Sequence, residues 1–118
     1  MQQIIAITSD VAPPVIDYPK PERLLDGNPQ RLTWNSFDSA DGLCSAGIWA
    51  CETGAWRIVF AEGKEEFFCV ISGRVRLSNE AGERWEFGPG EAAVIPAGFR
   101  GEFRVLEPVR KYYVIIER

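Results

Sequence analysis

The chain of 118 residues contains no histidine. Histidine is the side chain that titrates near neutral pH, and it is a frequent protein ligand of transition metals. Its absence excludes Ser-His-Asp triads, histidine general bases and imidazole metal sites. We therefore expect no transition-metal cofactor, since the carboxylates and thiols that remain are few and scattered. Two glutamates with water could hold Mg²⁺ or Mn²⁺ only loosely.

Features typical of nucleotide, nucleic-acid and membrane binding are also missing. No Gly-x-Gly-x-x-Gly or P-loop pattern occurs. The chain has 13 basic and 17 acidic residues, a formal charge of −4, and it shows no basic patch. No apolar run approaches the roughly 18 residues of a membrane span, and the first residues lack the basic and apolar regions of a signal peptide. We expect a cytoplasmic protein with neither nucleic-acid nor membrane partners.

Cysteine is scarce, with three residues at Cys44, Cys51 and Cys69. No pair has the Cys-x-x-Cys spacing that favours a metal-thiolate site. An odd number of cysteines without an export signal favours reduced thiols. We expect these side chains to pack as small buried hydrophobic groups. A Cys51–Cys69 disulfide is the alternative.

Proline separates the first 44 residues from the remainder. Five of the eight prolines lie there, at Pro13, Pro14, Pro19, Pro21 and Pro29, and they prevent long regular elements. The sequence predicts an N-terminal extension over residues 1–44, with a short strand at 4–8, packed on a β-structure formed by residues 45–118. The two parts form one structural domain, as the length indicates.

Short β-rich runs alternate with turn signals from residue 46 onward, which is typical of an antiparallel sandwich or barrel. The predicted strands are 47–52, 56–61, 66–71, 74–78, 84–87, 92–95, 101–106 and 111–117. In residues 100–105, charged and apolar side chains alternate, so Phe103 and Val105 should face the interior. Strand 66–71 is apolar on both faces and needs cover on both. We expect this cover from the N-terminal extension and from a second subunit in a homodimer.

Two motifs identify a family resemblance. In the first, Glu66 is followed by six residues and Gly73. In the second, Gly90 is followed by five residues and then Pro96-Ala97-Gly98. Their order and separation resemble the small single-domain cupins of the ethanolamine-utilisation and ureidoglycine aminohydrolase group over residues 27–117. The resemblance implies an all-β, cupin-type antiparallel barrel (a double-stranded β-helix or jelly roll).

The metal ligands of that family are mostly replaced. The positions that usually hold histidine fall on Phe60, Glu62 and Gly101, and only Glu66 matches the family pattern. The resemblance therefore implies a cupin barrel without its usual metal site.

Glu66 has two interpretations. On the parity of the cupin strand it points inward with Phe68, and a buried carboxylate is costly unless it is paired, hydrogen-bonded or protonated. It could be a ligand-contacting acid–base group, with Tyr113 or Lys111 as second catalytic group. It could equally be a structural partner of Lys111 or Tyr113 on the last strand.

Aromatic side chains suggest the walls of a binding pocket. Trp49 and Phe103 are the preferred wall residues, although aromatics at this density are also typical of a core. The complete set of candidate ligand contacts is Trp49, Phe60, Glu62, Glu66, Phe68 and Phe103.

Three functions are compatible with this sequence. The first is a metal-independent cupin that binds a small organic molecule. The second is an enzyme acting on a small amide, amine or sugar-like metabolite through Glu66. The third is a structural, dimerising cupin with a filled barrel. A cavity lined by Glu66 would favour the first two, and we adopt the first because loss of histidine removes chemistry without removing a cavity.

Overall fold

The computed structural model describes residues 2–118. Nine β-strands and one 3₁₀ turn at Pro21–Arg23 make up the regular structure of this part of the chain. The strands are β1 (Val15–Asp17), β2 (Leu24–Asp26), β3 (Arg31–Asp38), β4 (Cys44–Cys51), β5 (Gly54–Val59), β6 (Lys64–Asn79), β7 (Arg84–Phe87), β8 (Ala92–Ile95) and β9 (Arg100–Glu117). The predicted all-β class is confirmed. None of the helical structure in residues 2–118 has the length and apolarity needed to cross a membrane.

The strands form one antiparallel sheet that curls into two facing halves. The first half-sheet has the order β1-β3-β4-β9-β6-β8 and uses residues 109–117 of β9 and 64–72 of β6. The second half-sheet has the order β2-β5-β9-β6-β7 and uses residues 100–105 of β9 and 74–79 of β6. Because β6 and β9 belong to both halves, they form the continuous side of the barrel.

Gly73 allows β6 to pass from one half-sheet to the other. Its φ of +84° lies in the left-handed region, and a Cβ there would stand 2.1 Å from the carbonyl oxygen of Pro108 on β9. The pairing register of β6 and β9 shifts on both sides of this position. Residues 72–73 and Pro108 were expected to separate strands, but they lie at a bend inside two long strands because the neighbouring strand continues to pair with both arms.

The N-terminal 44 residues contribute more strands than the prolines suggested. β3 pairs with β4 over its whole length, β1 pairs with β3, and β2 pairs with β5. The predicted strand at residues 4–8 is wrong, because that segment has no regular secondary structure. Ile4 is 98% exposed. Proline is tolerated because it lies between these short strands rather than inside them.

The core lies between the two half-sheets and is mainly aromatic and aliphatic. Phe68, Val70 and Val75 of β6 are almost completely buried, and Phe103 and Val105 of β9 face inward as predicted. Rings from opposite halves are in contact: the Trp49–Phe103 centroids are 5.7 Å apart and the Phe68–Phe87 centroids 5.5 Å.

The outward side of the first half-sheet is also apolar. Phe37, Phe67, Val94 and Tyr112 are exposed there, and we call these four residues the outer apolar face. Part of the N-terminal segment crosses this side, since the Arg110 guanidinium donates to the Ser9 hydroxyl and stacks 4.7 Å from the Trp34 ring centroid. This side of the sheet is therefore covered only in part by its own chain.

Candidate functional site

A cavity of about 430 Å³ lies between the two half-sheets. β3, β4, β6 and β9 of the first half-sheet supply most of its walls, and β5 closes the opposite side. We call this space the inner cavity. Its lining residues are Asp17, Arg31, Thr33, Asn35, Asp38, Ser45, Trp49, Trp56, Ile58, Phe60, Lys64, Glu66, Ile95, Phe103, Lys111, Tyr113 and Ile115.

The charged centre of the inner cavity is the ion pair of Glu66 and Lys111. Lys111 Nζ donates to Glu66 Oε2 at 2.8 Å, and both side chains are buried. In the register of β6 and β9, Glu66 lies opposite Ile115 and Lys111 opposite Val70, so both side chains are on the inward face but four positions apart along the strands. The long Lys111 side chain spans this distance over the Phe68 ring. The pairing of Glu66 with a cation on the last strand, which the sequence left open, is present.

Aromatic rings surround the Lys111 ammonium. Its Nζ lies 4.6 Å from the centroids of Trp49 and Phe68 and 4.9 Å from that of Phe103. The negative faces of aromatic rings attract a cation, most strongly where water is excluded. The rings and Glu66 together compensate part of the desolvation cost of burying an ammonium group.

Tyr113 on β9 is connected to β3 by a short chain of hydrogen bonds. Its hydroxyl donates to Asn35 Oδ1 at 2.7 Å, and Asn35 Nδ2 donates to Asp38 Oδ2 at 2.8 Å. Burial, with the nearby charges of Asp38 and Glu66, raises the pKa of Tyr113 to about 12. Tyr113 is therefore a protonated hydrogen-bond donor at neutral pH and is unsuited to act as a base.

Two further cations stand where the cavity opens. The Arg31 guanidinium makes bidentate hydrogen bonds to Asp17, at 2.9 and 2.8 Å, and lies 5.3 Å from the Trp56 ring centroid. Lys64 Nζ lies 4.7 Å from the Phe60 centroid. Each cation rests on an aromatic wall of the cavity.

The structure brings together most of the residues proposed from sequence. Trp49, Phe60, Glu66, Phe103, Lys111 and Tyr113 all line the inner cavity. Phe68 lies beneath the Lys111 ammonium and lines a neighbouring groove instead. Glu62 is exposed on the loop before β6, with its carboxylate beside Gly98 and outside the cavity lining.

The contribution of β3 to the inner cavity was not predicted from the sequence. Arg31, Thr33 and Asn35 all line the inner cavity. Over residues 31–35 of β3 the polar residues occupy the odd positions and Leu32 and Trp34 the even ones, so their shared face was visible in the sequence. Polar side chains that share one face of a strand usually face solvent. On β3 this polar face lines the inner cavity instead.

The four family metal positions do not fit a transition metal. Phe60 has no ligand atom, and the Glu66 carboxylate is occupied by Lys111. At Gly101 a Cβ would lie 1.9 Å from the Ser78 carbonyl oxygen, so this backbone cannot carry a larger residue. Within residues 2–118 no three His, Cys, Asp or Glu side chains converge as metal ligands.

A larger groove of about 770 Å³ lies between the edge strands β7 and β8. Ile95 lines both this groove and the inner cavity, and Phe68 forms part of its floor. The groove is largely apolar and contains no buried charge. The inner cavity is therefore the better candidate site, although it is smaller.

This antiparallel β-barrel, with its candidate site between the two half-sheets, has the architecture of a cupin. The family model of the EutQ-like cupin domain matches residues 38–113, more than half the chain. The chain therefore belongs to the EutQ-like cupin domain family.

Solved structures share this fold. A protein of unknown function of the DUF861 family from Pseudomonas syringae pv. tomato str. DC3000 is 24% identical with a TM-score of 0.78, over 89% of this chain and 45% of that chain. The putative ethanolamine utilization protein Q of Salmonella typhimurium is 23% identical with a TM-score of 0.64, over 74% of this chain and 69% of that chain. A DUF861 family protein from Thermotoga maritima is 30% identical with a TM-score of 0.52, over 56% of this chain and 73% of that chain.

This chain thus spans less than half the length of the Pseudomonas protein. Among curated proteins, no match was found.

Proposed function

We propose that this protein binds a small organic molecule in the inner cavity without a metal ion. One observation carries the proposal: a cavity of about 430 Å³ contains a buried ion pair surrounded by aromatic rings. Such a combination of apolar walls and a few converging polar groups is typical of small-molecule sites. A barrel retained only as a structural module would have this space filled by side chains.

The geometry supports binding more than catalysis. Lys111 Nζ lies 2.8 Å from Glu66 Oε2 in an ion pair. The Tyr113 hydroxyl is protonated at neutral pH and donates to Asn35. No unpaired base among these three groups faces the cavity. An enzyme using Glu66 on a small amide, amine or sugar-like metabolite would have to break the ion pair first, so we place this function second.

The cysteines agree with a location in the reducing cytoplasm, which we include in the proposal. All three are free thiols. Burial raises the pKa of Cys51 to about 12, which makes it unreactive as a nucleophile. None of the three cysteines lines the inner cavity, so they take no part in the proposed site.

A thermal-shift screen of small metabolites and divalent ions tests the proposal. A compound at about 100 times its Kd stabilises the folded protein by about 2.7 kcal/mol, which is readily seen as a rise in melting temperature. We expect organic compounds, rather than divalent ions, to give such rises. Absence of any compound that stabilises the protein would instead favour the structural alternative.

A matched pair of variants on β3 locates the binding. Thr33 faces the inner cavity and Leu32 faces the opposite side of the sheet. Thr33→Phe should occupy cavity space and abolish the ligand-induced shift, and Leu32→Phe should preserve it. A shift that survives in Thr33→Phe would place the ligand elsewhere and contradict the proposal.

A further inference from the structure

We propose that the mouth of the inner cavity binds the anionic end of the ligand, a carboxylate or phosphate group, through a vestibule of basic side chains. The vestibule is a depression of about 240 Å³ beside the inner cavity. Its basic residues are Lys20, Arg23, Arg31, Arg57 and Lys64. This inference rests on the proposed function, since it assigns a chemical class to the ligand of the same site.

The vestibule and the inner cavity adjoin each other. Arg31, Trp56, Ile58, Phe60 and Lys64 line both spaces. A molecule lying across these shared residues would have one end among the basic groups and the other beside the Glu66–Lys111 pair. The two spaces can therefore accommodate one ligand with chemically distinct ends.

The charge of the vestibule is opposite to that of the whole protein. Five of the 13 basic residues line it, and no aspartate or glutamate does, although the chain has 17 acidic residues. Arg31 is paired with Asp17. Within residues 2–118, Lys20, Arg23, Arg57 and Lys64 have no carboxylate within ion-pair distance. A concave site lined by one sign of charge concentrates ligands of the opposite sign.

Several separate parts of the chain build this cluster. Lys20 and Arg23 belong to the 3₁₀ turn and its N-cap, Arg31 to β3, Arg57 to β5 and Lys64 to the start of β6. A run of basic residues along one surface element would be an ordinary solvated face. Convergence from separate elements onto one concavity instead forms a site.

Aromatic walls hold two of the cations at the junction of the spaces. Arg31 lies against Trp56 at 5.3 Å, and Lys64 against Phe60 at 4.7 Å. These contacts restrict both side chains near the opening. Arg31 already donates to Asp17 in this bidentate way, so the other vestibule arginines are the ones that can bind carboxylate or phosphate oxygens in pairs and anchor the charged end of a ligand.

The test uses the full chain labelled with ¹⁵N and titrated with inorganic phosphate or with acetate at constant ionic strength. We expect saturable amide shifts, at millimolar anion, around residues 20–23, 31, 57 and 64. Tighter binding of phosphate would assign a phosphorylated ligand, and equal or tighter binding of acetate a carboxylate ligand. Shifts that increase linearly without saturation, or that lie elsewhere on the protein, would overturn the inference.

Variants separate a specific site from general screening. Arg23→Gln and Arg57→Gln, made as separate single variants, should each raise the Kd of the anion about tenfold, because charge-assisted hydrogen bonds are lost. Arg84→Gln removes an equal single charge from β7, remote from the vestibule, and should leave the Kd unchanged. Equal weakening by Arg84→Gln would mean that only net charge matters, against the inference.

The same experiments distinguish failure of this inference from failure of the proposed function. Saturable anion binding at the vestibule, with no organic compound entering the inner cavity, would support the basic site and contradict the proposed function. A metabolite whose binding is lost in Thr33→Phe but is not reduced in the arginine variants would support the proposed function and contradict the anionic class.

Discussion

Among single residues, Lys111 has the most deeply buried charge in residues 2–118. An ammonium group that is only 4% exposed has lost most of its hydration, and its compensation comes from one carboxylate and three aromatic rings. Well-packed apolar residues often stabilise a protein as much as a buried ion pair does. The presence of the pair at the inner cavity therefore agrees with a role in recognising a ligand.

Removing one charge of this pair tests its energetic role. Glu66→Gln should lower the free energy of unfolding by about 3 kcal/mol, because Lys111 would remain buried without its counter-ion. Glu62→Gln, on the exposed loop nearby, should change it by less than about 0.5 kcal/mol. Urea unfolding curves measure both. Wild-type stability in Glu66→Gln, together with lost ligand binding, would identify Glu66 as a ligand contact rather than a structural partner.

Tyr113 predicts a pH dependence at the alkaline end. Its pKa in the folded protein is raised to about 12 from the usual 10.0, so folding stabilises the protonated form. The resulting contribution to stability is complete below pH 10 and is lost as the pH rises toward 12. We expect wild type to lose more stability than Tyr113→Phe over this range in urea unfolding. Absorbance at 295 nm should show one late-titrating tyrosinate that Tyr113→Phe lacks, and identical titrations of the two proteins would be contrary evidence.

At the scale of elements, the sequence was sufficient where side-chain alternation and turn residues agreed. β7 and β8 have the bounds predicted for them, and Phe103 and Val105 face the core. The long strands β6 and β9 were each predicted as two strands, because glycine and proline ordinarily end a strand. Their continuity depends on pairing between residues far apart in the chain, which local sequence does not encode.

The candidate site, too, could be predicted only where the local sequence indicated the position of a residue. Glu66 was identified because the cupin motif fixed its parity, and Lys111 was proposed as a cation on the last strand that could pair with it. The vestibule was not predicted, because its members are distant in sequence and exposed basic residues are common. Their convergence requires the pairing of β2 with β5 and of β1 with β3.

Gly73 provides a test of the bend in β6. Gly73→Ala should destabilise the protein by about 1 kcal/mol from the left-handed backbone conformation, and further from the approach of its Cβ to Pro108. Gly82 is a matched control, since its φ is +87° but no atom lies within 4 Å of a Cβ there. The difference between the two variants in thermal unfolding isolates the close approach. Equal destabilisation would show that β6 can move away from β9 at this bend.

For the whole molecule, the apolar surface left uncovered is the main unexplained feature. The molecule extends 48 × 29 × 28 Å, and the N-terminal segment presents exposed Ile4, Ile5 and Val11. The outer apolar face (Phe37, Phe67, Val94 and Tyr112) is exposed as well. A two-fold dimer brings identical patches together, so a second copy can supply the missing cover for both surfaces. We therefore propose the homodimer that the two-sided apolar strand predicted.

Sedimentation velocity at tens of micromolar should find a dimer. Phe67→Glu introduces a charge at the outer apolar face, where it would be desolvated in the interface, and should shift the protein to monomer. Leu25→Glu changes a side chain of similar exposure on β2 of the second half-sheet and should leave the dimer intact. Deletion of residues 2–12 should weaken the dimer if the N-terminal segment belongs to the interface. A wild-type monomer, or equal dissociation by Phe67→Glu and Leu25→Glu, would show that the outer apolar face does not mediate self-association.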